Sequence, residues 1–174
     1  MLTSVDSILP KISPLDIKSL LSPLIYIGAA GFEDRALSFL ETAVLNKVKI
    51  DKAIIIKYEP FEKKNKIEQF TDLLNKLSIN SSEVTFDRYD PQLFSQSISR
   101  YLEGLGNYHI LVDISGMSKF LIIILLNSLR NHRNELTIVY TEAKIYHPTK
   151  DEFELEKKLA KQGSIPDFFD DRCI

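Results

Sequence analysis

The sequence predicts an α/β fold, a Rossmann-like three-layer sandwich whose mainly parallel sheet of five or six strands carries helices on both faces. Strand-like and helix-like segments alternate from residue 24 to residue 142. The inner apolar runs, Ala53-Ile54-Ile55-Ile56 and Ile110-Leu111-Val112 among them, are continuous rather than alternating, as expected of strands covered on both sides. Two strands also pass through small polar residues straight into helices, the type of connection that doubly wound sheets place over their ligands.

Residues 1–23 hold Pro10, Pro14 and Pro23 among apolar positions and read as a leader on the domain edge, with one helical piece from Pro14 to Leu21. Leu24 to Ile27 is the first strand, and Leu37, Leu40, Val44 and Leu45 space a helix that starts near Glu33. Lys52 to Tyr58 is a β-branched second strand. Ile67, Phe70, Leu73, Leu74 and Leu77 then form the apolar stripe of a helix. Asn80-Ser81-Ser82 reads as a turn before a third strand, Val84 to Tyr89. Asp90-Pro91 suits a helix start, with Asp at the cap and Pro in the first turn, and that helix runs to the glycines at 104 and 106. Tyr108 to Ile114 is the fourth strand, Ser118 to Arg130 its helix, and Leu136 to Tyr140 the fifth strand, continuing through Glu142. The α/β domain is therefore placed at 24–147, with a charged amphipathic helix and tail over 148–174. The run Phe120 to Leu126 is apolar on every side, which predicts burial inside the domain or between two copies, and a homodimer is the expected assembly.

Composition narrows the function classes. A chain of 174 residues suits one hydrophobic core. Its formal net charge of -2 leaves no basic excess for wrapping a nucleic-acid duplex. Cys173 is the single cysteine, so no internal disulfide forms and a cytoplasmic location is expected. The start does not read as a signal peptide, and no apolar run approaches the roughly 20 residues of a membrane span, so no membrane partner is expected. His109, His132 and His147 lack the spacing of metal ligands, and neither a metal nor a cofactor is expected.

In open parallel sheets the ligand lies beyond the carboxyl ends of the strands. The loop after strand one, Gly28-Ala29-Ala30-Gly31-Phe32-Glu33-Asp34-Arg35, offers glycines for close backbone approach and Arg35 for an anionic group. It lacks the G-x-G start of the dinucleotide fingerprint. The loop after strand four, Asp113-Ile114-Ser115-Gly116-Met117-Ser118-Lys119, offers hydroxyls, N–H groups at a helix start and a lysine, which together suit a phosphate. It is not a Walker A loop, because here the lysine follows the serine. The expected ligand-binding set is Gly28, Gly31, Phe32, Glu33, Arg35, Asp113, Ser115, Gly116, Met117, Ser118 and Lys119. Asp113, at the end of a buried strand, is the group most open to an unusual pKa. With Glu33 or Glu142 it could run acid–base chemistry on a glycosidic bond. Tyr26, Tyr58, Tyr89, Tyr140 and Tyr146 lie in or near strand ends, where a ring can stack on a base.

Val112-Asp113-Ile114-Ser115-Gly116-Met117-Ser118-Lys119, followed by an apolar helix, resembles the strand-four loop of CRISPR-associated Rossmann-fold (CARF-like) sensor domains of prokaryotic antiviral defence. That group carries a hydrophobic-Asn-Ile-Thr-Gly-Gly-Thr-Lys loop. Ser115, Gly116, Ser118 and Lys119 match it, while Asp113 stands for the Asn and Met117 for the second Gly. The resemblance implies a dimeric domain that binds cyclic or linear oligoadenylate across its two-fold axis, and a sensor of this kind would need a separate effector protein or a further C-terminal part. The expectation is a binding domain for a nucleotide or oligonucleotide second messenger. The alternatives are an enzyme cleaving a glycosidic or phosphodiester bond of a nucleoside or nucleotide, using Asp113, Glu33 or Glu142, and an interaction domain of a larger complex.

Overall fold

A computed structural model describes residues 13–103, 106–130, 132–143 and 150–161. The chain forms two compact units, residues 1–141 and 142–174. In the first unit the elements are β1 (Leu24–Ala29), α1 (Ser38–Asn46), β2 (Lys52–Glu59), α2 (Ile67–Lys76), β3 (Asn80–Asp87), α3 (Pro91–Leu102), β4 (His109–Asp113), α4 (Lys119–Leu129) and β5 (Leu136–Val139). The described part of the second unit is one helix, α5 (Lys150–Lys161).

The sheet has five strands in the order β3-β2-β1-β4-β5, and every neighbouring pair is parallel. The chain thus begins mid-sheet, builds outward to β3, and crosses back to build β4 and β5 on the other side. Alternate residues of β1 explain the layers. Leu24 and Tyr26 pack with Phe39 and Leu40 of α1 and Phe70 and Leu74 of α2. Ile25 and Ile27 pack with Phe94 and Ile98 of α3 and Leu121 and Leu125 of α4. This is the Rossmann-like α/β sandwich that the alternation predicts. Every residue of β1 and β4 is buried, whereas the edge strands β3 and β5 are largely exposed or half-buried.

Several boundaries differ from the sequence expectation, each for a tertiary reason. β1 runs on to Ala29 because Gly28 and Ala29 still pair with Ile55 and Ile56. A 3₁₀ turn, Asp34–Leu37, precedes α1. Asn80-Ser81-Ser82 is not a turn but the start of β3, held by pairing with Lys52, Ala53 and Ile54 of β2. The chain reverses earlier, at Ser78, which takes a left-handed φ of 54°. β5 ends at Val139, the last residue paired with β4, so Tyr140 lies beyond it. In the leader, residues 1–12 lie outside the described residues, and the helical piece is a 3₁₀ turn, Ile17–Ser19, capped by Asp16. The leader is tied to the sheet by His109, whose Nδ1 accepts from Leu21 N at 3.1 Å while Nε2 faces Thr137 Oγ1 at 2.8 Å.

α4 is not buried all round. Leu121, Leu125 and Leu129 form its inward stripe, but Phe120 is 43% and Ile123 64% exposed. Among the described residues no helix is long and apolar enough to cross a membrane. In the second unit, α5 exposes Phe153 and Leu155 and pairs Lys157 with Glu154. Tyr146, His147 and Cys173 fall outside the described residues.

Candidate functional site

The direction of building reverses between β1 and β4, so the connections leaving their carboxyl ends diverge to opposite faces, the place where doubly wound sheets commonly bind their ligands. The loops that line it, 28–35 and 113–119, are the two that the sequence singles out. They meet backbone to backbone. A Cβ on Gly31 would lie 2.8 Å from Gly116 O, and one on Gly116 would lie 2.6 Å from Ala29 O and 2.7 Å from Ala36 Cβ. Gly31 and Gly116 are therefore explained by loop-to-loop packing. Gly28 serves another purpose: a Cβ there would collide with the Tyr26 phenol, which lies over it.

Tyr26 reaches across Gly28 to Asp113, with 3.4 Å between its hydroxyl and Oδ2. Gly28 and Asp113 are register partners on β1 and β4, so the missing side chain makes the path. Asp113 Oδ1 accepts from Ser115 N at 3.0 Å, which fixes the first bend of the loop. Asp113 is only 1% exposed. Burial raises its pKa to about 6, against the opposing pull of the Ser115 and Tyr26 hydrogen bonds. Burial, and then the neighbouring Asp113, push the Tyr26 phenol well above its ordinary value. In this conformation Asp113 is a structural carboxyl without access to a ligand.

Ser115 is also buried, and its Oγ accepts from Thr141 N at 2.8 Å, joining the β4 loop to the segment after β5. Tyr58, at the end of β2, clamps the loop from the other side. Its hydroxyl donates to Gly116 O at 3.1 Å and accepts from Ser118 N at 2.8 Å. Ser118 caps α4, its Oγ accepting from Leu121 N at 3.2 Å, and Met117 N donates to Ile114 O at 3.1 Å. Several N–H groups expected to face an anion are thus spent on the loop itself. Those of Gly116, Lys119 and Phe120 have no partner among the described residues, and the Lys119 side chain is exposed.

Arg35 is held from two sides at this edge. Its Nε pairs with Glu33, Nη1 donates to Tyr140 Oη at 2.6 Å, and the guanidinium lies 5.3 Å from the Tyr140 ring centroid. Since Ala36 touches Gly116, the two loops hold Arg35 and the start of α4 at one crevice. Phe32 is half exposed, with Lys64 Nζ 4.9 Å from its ring centroid. The loop after β2 is fixed here too, through Lys66 N to Gly31 O at 3.1 Å and Lys66 Nζ to Asp34 at 2.6 Å. Glu33 therefore serves Arg35, Asp113 is sealed beneath, and Glu142 opens the second unit. Of the tyrosines proposed for stacking, Tyr26 is buried, Tyr58 is committed to the β4 loop, Tyr140 carries Arg35, and Tyr89 is 83% exposed with Arg88 beside its ring.

Sequence reasoning missed the Tyr58 clamp and the Arg35–Tyr140 pair. Both link residues far apart in the chain, and the only local signal was a tyrosine at a strand end. Among the described residues no cluster of His, Cys, Asp and Glu is arranged for a metal ion. No protein-family model matches the chain, and no curated protein matches it.

Proposed function

We propose that this domain is a cytoplasmic ligand sensor that binds a nucleotide or oligonucleotide second messenger over the carboxyl ends of β1 and β4, as a homodimer coupled to a separate effector. The observation that carries the reading is the pair of loops packed glycine to glycine at the sheet's point of reversal, with Arg35 oriented by Glu33 and Tyr140 at their rim. An anchored guanidinium beside a helix start suits a phosphate. The burial of Asp113 favours binding over turnover, because the carboxyl best placed by sequence for acid–base work hydrogen-bonds to Tyr26 and Ser115 alone among the described residues. The resemblance of the 112–119 loop to CARF-like sensors supports a role in prokaryotic antiviral defence. Exposed Ile123 on α4 and exposed Leu136 and Ile138 on β5 leave apolar side chains on the surface for a second copy.

The test is a thermal-shift and calorimetric screen against mono-, di- and cyclic oligonucleotides, with each mixture analysed for breakdown. The expected result is a rise in Tm without product, since a ligand that binds only the native state stabilises it. Arg35→Ala and Lys119→Ala should each weaken binding by about tenfold or more, the usual worth of a hydrogen bond to a charged group. Product formation would point to the enzyme instead, and no shift with any nucleotide would remove the reading.

A further inference from the structure

Tyr58 is the penultimate residue of β2, yet its hydroxyl bonds to the loop after β4, although β1 lies between those two strands. β1 stops at Ala29, level with Ile56 of β2, so Tyr58 stands two residues past the pairing and crosses the end of β1. We infer, resting on the nucleotide reading above for the ligand's phosphate, that Tyr58 is a positioning residue of the phosphate site. Its hydroxyl sets the turn from Gly116 to Ser118 so that the first N–H groups of α4 are presented to the anion.

A helix start attracts an anion through N–H groups that are aligned and unspent. In α4 the Ser118 side chain takes Leu121 N, and Ser118 O takes Ile122 N. Lys119 and Phe120 therefore hold the free donors. Their direction follows from the peptide planes just before them, in a stretch that is neither helix nor strand. Ser115 N on Asp113 and Met117 N on Ile114 O fix the first half of that stretch. The hydrogen bonds of the second half, at Gly116 O and Ser118 N, go to Tyr58 alone among the described residues.

A phenol suits this task because Gly116 O needs a donor and Ser118 N an acceptor, and one hydroxyl serves both. Burial pushes the Tyr58 phenol above its ordinary value, against the pull of its Ser118 hydrogen bonds, so it keeps the proton that Gly116 O receives.

The ring is seated as firmly as the hydroxyl. Tyr58 lies on the α3–α4 side of the sheet with Ile54 and Ile56, and meets Phe86 of β3 edge to face at 6.0 Å. Phe86 in turn meets Phe94 of α3 at 5.3 Å and Phe120 of α4 at 6.0 Å. Tyr58 and the second residue of α4 thus rest on one ring, which ties the helix start to β2 by a second route.

The experiment is an amide NMR and calorimetric titration of the full chain and its Tyr58→Phe variant with inorganic pyrophosphate and with a 5′-phosphorylated triadenylate. Phenylalanine keeps the ring on Phe86 and removes only the hydroxyl, and Tm will show that the fold is kept. In the wild type the Lys119 and Phe120 amide signals should move on binding, while that of Ser118, spent on Tyr58, holds its position. The variant should bind about tenfold more weakly, the order of one hydrogen bond to a charged group, with the Lys119 and Phe120 shifts reduced and the Arg35 side-chain shift retained. A clamp that serves stability alone would lower Tm and leave affinity and shifts as in the wild type, which would overturn the inference and leave the nucleotide reading standing. A wild-type Ser118 signal that moves with the others would overturn it as well, since the anion would then displace the hydroxyl. Binding of pyrophosphate but of no nucleotide, weakened in the variant, would keep the role of Tyr58 and remove the nucleotide reading. If the wild type binds neither probe, both fall together.

Discussion

Asp113 shows how one residue sets the chemistry of the crevice floor. Its folded-state pKa of about 6 lies above the ordinary aspartate value of about 4, so the folded protein holds this proton more tightly than the unfolded chain does. The resulting contribution to stability is complete below about pH 4 and is lost as the pH rises through about 6. Asp113→Asn keeps an acceptor for Ser115 N and removes the buried charge. It should be more stable than wild type at pH 8, by up to about 3 kcal/mol, and should flatten stability between pH 4 and 6. Urea denaturation across that range checks this, and a variant that tracks the wild-type profile would place the pKa elsewhere. Gly116 tests the loop contact in the opposite direction. Gly116→Ala drives a methyl against Ala29 O and Ala36, for which a loss of about 1–3 kcal/mol and weaker ligand binding are expected from the same titrations.

At the scale of elements, the helix ends separate what is local from what is imposed. Asp90 caps α3 as its sequence position predicts, and Ser118, expected as the first residue of its helix, is instead the cap of α4. Ser118→Ala should cost about 1 kcal/mol, read as a lowered midpoint with an unchanged denaturant slope. α1 ends differently. Lys47, not a glycine, takes the left-handed cap at φ 54°, with its N–H on Val44 O and Val48 N on Ala43 O at 2.9 Å. Nothing local marks that position, and a non-glycine there is strained. Lys47→Gly should stabilise by about 0.5–1 kcal/mol in the same denaturation assay, the strain relieved slightly exceeding the extra entropy of the unfolded glycine. β3 makes the same point for strands: Asn80, Ser81 and Ser82 have turn character, yet the open edge of β2 pairs with them.

For the whole molecule, the return crossover from β3 to β4 sends the connections after β1 and β4 to opposite faces of the sheet, while their loops pack against each other at the carboxyl edge. The same architecture leaves α4 only half covered. If that face joins two copies, Ile123→Asp should convert a dimer into a monomer by analytical ultracentrifugation, with little change in Tm because Ile123 is 64% exposed. A wild-type protein that sediments as a monomer at every concentration would remove the dimer from the proposed function.

The sequence by itself determined the strand–helix alternation, the parallel sheet covered on both faces and the cap at Asp90. These are legible because hydrophobic periodicity and capping are local, expressed within a few residues. Only the tertiary structure decided that Gly28 clears a path for Tyr26, that Asp113 and Ser115 are sealed inside, that Tyr58 clamps the β4 loop, and that Arg35 rests on Tyr140. Each depends on strand order and register, which bring together residues as distant as Arg35 and Tyr140. A carboxylate at a strand end looks the same in sequence whether it faces water or the core, and only the packing above it makes Asp113 a structural group.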